Sequence, residues 1–265
     1  MGVVNVTPDS FSDGGRYHDT EAAVRHGFDL RREGADLLDV GGESTRPGAT
    51  RPLVAEELDR VVPVIRALAA EGIPVSVDTM RSEVAAAALE AGAVLVNDVS
   101  GGLADPEILP VVAAAGAAYV VMHWRAHAQQ MKRHANYEDV VNEVVTELRA
   151  RIEAALDAGI DAARLVVDPG LGFAKTADHN WELLRRLVEL DRLGLPILVG
   201  SSRKSFLGTL LADEAGRPRH VLDREGANVA LTTIAAIQGV WGVRVHEVQA
   251  SVDAVAVVDR WRGPR

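Results

Sequence analysis

Short apolar runs alternate along the whole chain with longer amphipathic segments, many of them rich in alanine. The clearest run begins at Ala35 and gives way at Gly41 and Gly42 to a polar loop that extends to Ala49. Such a run is typical of a strand buried on both faces of a parallel sheet, whereas the longer segments have the length and period of helices. The chain is therefore predicted to repeat a unit of strand, polar loop and helix.

Eight such units follow one another, which favours an α/β fold, a single-domain (β/α)8 TIM barrel, over an open sheet. The predicted strands are Gly2–Val6, the run from Ala35, Ile73–Asp78, Val94–Asn97, Ala118–Met122, Arg164–Asp168, Pro196–Gly200 and Gly242–Val245. The predicted helices are Thr20–Glu33 with Thr20 as its cap, Val54–Glu71, Arg81–Ala91, Asp105–Ala115, Tyr137–Ala158, Asp178–Leu193, one or two between Lys204 and Gln238 interrupted by Asp213–His220, and Glu247–Trp261. No shift in composition marks a second domain, so residues 1–265 are predicted to form one barrel domain.

Composition and charge narrow the possible functions. The 265 residues are 48% apolar, include no cysteine and carry a formal net charge of −10. Disulfide and thiol chemistry are thereby excluded, and a cytoplasmic location is expected. A chain this acidic is not expected to bind nucleic acid. It has no apolar run of membrane-spanning length, so neither a secretory leader nor a membrane partner is expected.

Almost every predicted strand ends in a polar or ionisable side chain. In chain order these are Asn5, Asp39, Asp78, Asn97, His123, Asp168, Lys204 and Arg244 with His246. In a barrel of this type the carboxyl ends of all strands face one pocket. Because Asp and Asn are common in turns, any one of them alone is equally explained as a structural residue. All of them together indicate a shared site.

One part of this set suits a flat heterocycle. Asp78, Asn97 and Asp168 would offer two carboxylates and an amide to a ring that presents an amino group and ring N–H donors beside a carbonyl. Lys204 could bond that carbonyl or a ring nitrogen while balancing the buried aspartates. Alternatively, the two aspartates pair with Lys204 or Arg203 as a structural ion network, which is compatible with ligand binding.

A second part of the set suits an anion. Arg46, Arg244 and His246 could hold a diphosphate, since arginine makes bidentate contacts to phosphate. Asn5 offers a neutral oxygen that fits Mg²⁺, a hard cation that usually keeps waters and substrate phosphates as its other ligands. His123 lies outside any metal-ligand spacing and is interpreted as a pocket-rim histidine with satisfied hydrogen bonds.

Other common site types have no motif in this chain. Its glycine pairs form neither a P-loop nor a G-x-G-x-x-G after the first strand, so nucleotide binding of those kinds is not indicated. No Ser-His-Asp or Cys-His arrangement is suggested either.

Seven short motifs occur in order, one for each of seven barrel strands. They are Asn5–Gly15 (NVTPDSFSDGG), the loop Asp39–Gly48, Val77-Asp78-Thr79, Val96–Gly102 (VNDVSGG), Asp168–Phe173 (DPGLGF), Ser202–Ser205 (SRKS) and Arg244–His246 (RVH). Together they resemble the dihydropteroate synthases of the folate pathway, and the resemblance covers essentially the whole chain. One departure is Glu247, at a position where aspartate is expected and where Glu is a poorer helix cap.

The resemblance implies a transferase that condenses (7,8-dihydropterin-6-yl)methyl diphosphate with 4-aminobenzoate, giving 7,8-dihydropteroate and diphosphate. It implies Mg²⁺ as cofactor and a homodimer built from the late barrel helices, whose apolar positions the sequence explains equally well as core. The first two loops, residues 7–15 and 41–50, would close over the substrates. We expect a dissociative substitution, in which a pterin methylene cation forms before the amine attacks.

The resemblance also assigns site residues by matching position. Pterin would be bound by Asp78, Asn97, Asp168, Lys204, Phe173, Met122 and Gly200. Diphosphate would be held by Asn5, Arg46, Arg244 and His246, with Asn5 also on the metal. The aminobenzoate pocket would be formed by Phe11, Thr45, Arg46, Pro47, Arg203 and Ser205. Lys204, Arg244, His246 and Asp168 would be the catalytic groups.

Two rival hypotheses stay open at this point. A pterin-binding methyltransferase domain could share the barrel and the Asp/Asn/Asp floor, but it would have no use for a diphosphate cluster or for the loop Thr45-Arg46-Pro47. A catalytically silent paralogue could keep every motif and only bind a pterin or a partner. Measured turnover distinguishes the synthase from both rivals.

Overall fold

Short parallel strands form the centre of the computed structural model, which describes residues 1–7, 15–43, 51–127 and 131–263, without the side chains of residues 15–19 and 132. The strands are β1 (Gly2–Asn5), β2 (Leu38–Gly41), β3 (Val75–Asp78), β4 (Leu95–Asp98), β5 (Ala118–Met122), β6 (Leu165–Asp168), β7 (Leu198–Val199) and β8 (Gly242–Val243). The first six pair in chain order as one parallel sheet, and β7 pairs with β8.

Two further contacts close the strands into a barrel. Beside β6, Val167 forms a parallel bridge with Ile197, and its N–H donates to the carbonyl of Pro196 at 2.9 Å. At the other seam the Val3 N–H donates to the carbonyl of Val245 at 3.0 Å. The predicted (β/α)8 barrel is therefore confirmed.

Helices surround the barrel in the alternation that the sequence predicts. They are α1 (Gly15–Arg32), α2 (Val54–Ala70), α3 (Ser82–Glu90), α4 (Ile108–Ala115), α5 (Val140–Asp157), α6 (Ala177–Arg185), α7 (Ser205–Leu210), α8 (Glu225–Gln238) and α9 (Val248–Arg262). Short 3₁₀ turns occupy Met131–His134, Ala162–Arg164, Leu187–Leu193 and Val221–Arg224. None of the helices in the described ranges combines the length and apolar character needed to span a membrane.

Four predicted helix bounds are wrong, and one of them is the start of the helix predicted from Tyr137, which begins at Val140 after its cap Asp139. The first helix begins at Gly15, so Thr20 lies inside it and is not its cap. The helix predicted to begin at Asp105 begins at Ile108, and the Asp105 carboxylate accepts from the Glu107 N–H at 3.2 Å and from the Ser82 N–H of the preceding helix at 2.7 Å. The helix predicted as Asp178–Leu193 ends at Arg185 and continues as a 3₁₀ turn.

The period of the strands separates an apolar lower layer of the barrel from an upper layer that holds predicted site residues. Leu95, Val120, Val166 and Leu198, from four consecutive strands, form an apolar cluster separate from the main core between strands and helices. Side chains two positions apart point to the same face of a strand. The next inward positions are therefore Asn97, Met122, Asp168 and Gly200, which places the predicted site residues directly above the apolar layer.

A buried hydrogen bond between β4 and β5 gives a prediction about stability. The Tyr119 O–H donates to Asp98 Oδ2 at 2.7 Å, and both side chains are buried. Burial raises the pKa of Asp98, while donors from Ser100, Tyr119 and Gly102 lower it. Tyr119→Phe should cost roughly 1.5–3 kcal/mol of unfolding free energy, the range for a bond to a charged group, measured as a lower urea midpoint with an unchanged m-value.

Tyr137→Phe is the matched control for that substitution. The Tyr137 O–H donates to the neutral carbonyl of Ala174 at 3.1 Å in a partly buried position, so its loss should cost about 0.5–1.5 kcal/mol. Equal losses for the two variants would contradict a special role of the charged acceptor.

Candidate active site

Arg244, which follows β8, bonds to side chains of two other strands at the carboxyl end of the barrel. Its Nε–H donates to Asp39 Oδ2 at 2.6 Å and its Nη2–H donates to Asp78 Oδ2 at 2.7 Å. The Asn97 amide donates to the same oxygen of Asp39 at 2.9 Å. Four predicted strand ends thus meet in one hydrogen-bonded cluster, which we call the arginine cluster (Asp39, Asp78, Asn97 and Arg244).

The charges of the arginine cluster are buried and coupled. Burial raises the pKa of Asp78 to about 7, although the charge of Arg244 opposes that rise. Burial lowers the pKa of Arg244, but Asp39 and Asp78 outweigh it and hold that pKa above its ordinary value. Arg244 therefore stays charged, while Asp78 is the group in the cluster that can gain a proton near neutrality.

Asp168 lies on the other side of the same pocket, with Gly200 next to it. A Cβ on Gly200 would lie 3.8 Å from Asp168 Oδ2 and 3.9 Å from the Arg244 Cβ, so this glycine separates the aspartate from the arginine cluster without filling the space. The other Asp168 oxygen accepts from the Gly170 N–H at 2.7 Å. Burial raises the pKa of Asp168, whereas the Gly170 N–H and the charge of Lys204 lower it.

Lys204 and Phe173 form a third part of the pocket. The Lys204 ammonium lies over the Phe173 ring, 4.1 Å from its centre. Burial lowers the pKa of Lys204 to about 8, with Arg244 acting in the same direction and with Asp168 and Asp78 opposing. Phe173 and Met122 belong to one buried apolar cluster, which gives the pocket a flat, apolar wall beside its charged floor.

His246 and Asn5 lie at the seam between β8 and β1. The His246 main-chain N–H donates to Ser202 Oγ at 3.2 Å, and the His246 Nδ1 lies 2.9 Å from the same oxygen. The Ser202 hydroxyl can donate to Nδ1 when that nitrogen carries no proton. Asn5 ends β1 and is partly buried. Across the described ranges its side chain makes no hydrogen bond, and no group of three His, Cys, Asp or Glu side chains could by itself hold a metal.

His123 has the satisfied hydrogen bonds that the sequence interpretation expected. Its Nδ1 accepts from the Lys175 ammonium at 2.8 Å and its Nε2 lies 2.9 Å from Glu147 Oε2. Burial lowers its pKa to about 4, and Lys175 adds to that effect, so the ring is neutral. Lys175 also donates to the carbonyls of Gly170 at 3.0 Å and Phe173 at 3.1 Å. The network thereby fixes the loop that follows Asp168.

Several predicted residues lie away from this cluster or outside the described ranges. Phe11, Thr45, Arg46 and Pro47 fall in residues 8–14 and 44–50, which the structure does not describe. Arg203 pairs with Glu247 at 3.0 Å, so the alternative that it neutralises Asp78 or Asp168 is wrong. Ser205 is exposed at the first position of α7.

Two buried acids have no role in the assignment by resemblance, although Asp39 is one of the predicted strand-end residues. Asp39 has no exposed surface, and its Oδ1 finds no hydrogen-bond partner within the described residues, whereas Oδ2 serves two donors. The sequence does indicate a paired role for Asp39, because a charged residue inside a buried apolar run must be paired. Glu57 is also fully buried in α2 and accepts from the Thr79 hydroxyl at 2.6 Å. No motif or strand-end position indicated Glu57.

Comparison with known proteins identifies the family. The family model for pterin binding enzymes matches residues 1–246. A dihydropteroate synthase of Mycobacterium leprae is 56% identical over 262 residues, covering 98% of this chain and 92% of that protein. A solved structure of the Xanthomonas albilineans dihydropteroate synthase with 4-aminobenzoic acid is 48% identical, has a TM-score of 0.91 and covers 100% of this chain and 93% of its own. Another structure of that enzyme, in complex with 7,8-dihydropteroate, is 45% identical, has a TM-score of 0.87 and covers 100% of this chain and 94% of its own. The chain belongs to the pterin-binding enzymes, and within them to the dihydropteroate synthases.

Proposed function

We propose that the carboxyl end of the barrel is where this dihydropteroate synthase condenses (7,8-dihydropterin-6-yl)methyl diphosphate with 4-aminobenzoate to give 7,8-dihydropteroate and diphosphate. The observation that carries this assignment is the arginine cluster beside Asp168 and Lys204. It combines acceptors for a pterin ring with a permanently charged group for a diphosphate. A methyltransferase domain would need only the first of these.

The acids and the amide form the pterin floor. Asp78, Asn97 and Asp168 accept from the amino group and ring N–H groups, and Lys204 donates to the carbonyl or a ring nitrogen. Asn97 gives one amide hydrogen to Asp39, which fixes the amide and leaves its oxygen for the ring. The small Gly200 leaves room for the ring, while Phe173 and Met122 cover its face.

Arg244 and His246 act on the leaving group. A guanidinium has five N–H groups, and two of those on Arg244 are used by Asp39 and Asp78. Three N–H groups therefore stay available to diphosphate oxygens from a fixed position. His246 is held by Ser202 through Nδ1, and the family resemblance assigns it to the diphosphate as well. Arg46 completes this group in our assignment.

Asn5 suits the Mg²⁺ expected of this reaction. Its amide oxygen is a hard neutral ligand at the mouth of the barrel, and it has no hydrogen-bond partner within the described ranges that would compete for it. Mg²⁺ is commonly bound through one or two protein ligands plus substrate phosphates. When bound, the ion would neutralise part of the charge on the departing diphosphate.

The charge balance of the floor favours a dissociative substitution. Three carboxylates (Asp39, Asp78 and Asp168) face two cations (Arg244 and Lys204), so the fully ionised floor has a net negative charge. The bond between the methylene carbon and the diphosphate oxygen breaks with its electron pair leaving on diphosphate, and the positive charge spreads over the pterin ring. The neutral amine of 4-aminobenzoate then forms the C–N bond and loses a proton to water.

The second substrate binds beside α7 in this proposal. Arg203 and Ser205, together with Phe11, Thr45, Arg46 and Pro47, form the aminobenzoate pocket. Arg203 is paired with Glu247, whose side chain is 56% exposed. Exposed ion pairs contribute little stability, so a substrate carboxylate can replace Glu247 as the partner of Arg203.

A homodimer and a cytoplasmic location complete the proposal. The sequence explained the apolar positions of α8 and α9 either as a dimer interface or, equally well, as core. For several of these positions the assignment to the core is wrong. Ile234, Ile237, Val257 and Trp261 are between 41% and 73% exposed. Helices that present so many large apolar side chains to water are typical of an interface. Sedimentation equilibrium of the purified protein would test the dimer directly.

The first test of the function is diphosphate release by the purified protein. With Mg²⁺ and the dihydropterin diphosphate, release should depend on added 4-aminobenzoate and be matched by dihydropteroate. Asn5→Ala should raise the Mg²⁺ concentration needed for half-maximal rate. Tight pterin binding without release would instead favour the methyltransferase domain or the silent paralogue.

Replacement of Arg244 by lysine separates leaving-group assistance from pterin binding. Lysine keeps a positive charge beside Asp39 and Asp78 but cannot make both hydrogen bonds and still face the diphosphate. We expect kcat to fall about 10²–10³-fold, the range for loss of one preorganised donor, with dihydropterin affinity changed far less. Affinity and kcat falling by the same factor would contradict this role. Arg192→Lys, on an exposed side chain far along the sequence, is the control.

Asp78 makes pterin binding dependent on pH. Its pKa of about 7 means that it is largely protonated at pH 6 and largely ionised at pH 8, and only the carboxylate is a strong acceptor for two donors. Affinity for 6-hydroxymethyl-7,8-dihydropterin should rise up to roughly tenfold over that interval, measured by titration calorimetry.

The same titration affects the free energy of unfolding. Because the pKa of Asp78 is raised in the folded state, its contribution to that free energy is fully present below its ordinary pKa and is lost as pH rises through about 7.

Asp78→Asn tests both sides of this linkage. The variant should bind the pterin more weakly at pH 8, with a flatter pH dependence, and should lose less unfolding free energy than the parent between pH 6 and pH 8. A pH dependence equal to that of the parent would assign the titration to another group.

A further inference from the structure

The loop between β7 and α7 contains both Arg203 and Lys204 and has a strained backbone. Arg203 has φ +63°, a conformation that residues with a Cβ rarely adopt. Within the loop, the Lys204 N–H donates to the Ser201 carbonyl at 3.2 Å. A single turn of this kind does not compensate for left-handed backbone at a non-glycine residue, so contacts from elsewhere must hold it.

Arg224, at the start of α8, supplies those contacts. Its Nη1–H groups donate to the carbonyl of Arg203 at 2.9 Å and to that of Lys204 at 3.2 Å. Its Nε–H and Nη2–H donate to the carbonyl of Arg219 at 3.0 and 2.8 Å. All four bonds end on main-chain oxygens, so this guanidinium joins the loop to the segment before α8.

Gly208 in α7 provides the space for the guanidinium. A Cβ at this position would lie 2.6 Å from the Cζ, Nε and Nη2 atoms of Arg224. Glycine is less favourable than alanine inside a helix, and Gly208 does not have a positive φ that would require it. Close approach of the guanidinium explains why a glycine is found here.

We propose that Arg224 is a positioning residue for both substrates. By holding the carbonyls of Arg203 and Lys204, it fixes the direction in which their side chains enter the pocket. This inference rests on the proposed function, in which Arg203 binds the aminobenzoate carboxylate and Lys204 binds the pterin. Arg224 itself touches neither substrate, and it acts only through the loop.

Arg224→Ala should raise KM for 4-aminobenzoate and Kd for 6-hydroxymethyl-7,8-dihydropterin by about tenfold or more, as expected when substrate-holding groups are slightly displaced. The fall in kcat should be smaller. Arg224→Lys should recover part of the affinity, since an ammonium can still bond one carbonyl. The matched control is Arg219→Ala, which removes an exposed positive charge from the same segment but keeps the main-chain carbonyl that Arg224 binds.

Gly208→Ala separates positioning from folding. The new methyl group would displace the guanidinium while leaving Arg224 in the chain, and alanine favours the helix. The expected result is weaker binding of both ligands in a variant that still unfolds in one cooperative transition, as a folded domain does. This variant tests the positioning role of Arg224 even if Arg224→Ala fails to fold.

The outcomes distinguish this inference from the proposed function. Wild-type KM and Kd values in Gly208→Ala, and in Arg224→Ala where it folds, would overturn the positioning role. A parent protein that makes no dihydropteroate would contradict the proposed function instead. In that case the calorimetric Kd for the pterin still tests Arg224, because unchanged affinity in the same variants would overturn its role.

Discussion

Burial of several carboxylates at one end of the barrel is the constraint on which the rest of the site depends. An unpaired buried carboxylate is costly, and Asp39 and Asp78 are paired by a single guanidinium, that of Arg244. Arg244 lies 205 positions from Asp39 along the chain. The two meet only because β8 closes against β1, so closure of the barrel and neutralisation of the site are one event. A barrel open at this seam would leave two buried charges uncompensated.

The same strands build the support and the site. Their lower inward positions are apolar and form a dry layer across the barrel, while the next inward positions hold Asn97, Asp168 and Gly200. The apolar layer excludes water from below, which strengthens every hydrogen bond and charge interaction above it. It also explains why burial is the largest influence on the pKa of Asp78, Asp168 and Lys204.

Much of the fold and part of the site could be predicted from the sequence. Buried parallel strands are continuous apolar runs, so all eight were recognisable, as were the strand-end residues that define the pocket. The hydrogen-bond partners were not, because Asp39 and Arg244 are brought together by closure and not by any local pattern. The contacts of Arg224 could not be predicted either, because its acceptors are main-chain oxygens and side-chain motifs do not reveal them. The start of α1 was misplaced because Thr20 resembles a cap, although the helix already begins at Gly15.

The two cations of the floor have different physical properties, and this difference fits their places in the reaction. A guanidinium held between two carboxylates keeps its proton at any relevant pH, so Arg244 presents an unchanging charge to a leaving group that becomes more negative. Lys204 is desolvated beside an aromatic ring, with its pKa lowered to about 8, so its charge responds to what binds next to it. A neutral pterin leaves Asp168 to hold that proton on Lys204, whereas a developing pterin cation would repel it. In the proposed reaction Arg244 therefore keeps the charge that faces the diphosphate, while the charge of Lys204 depends on the carboxylate of Asp168 beside the pterin.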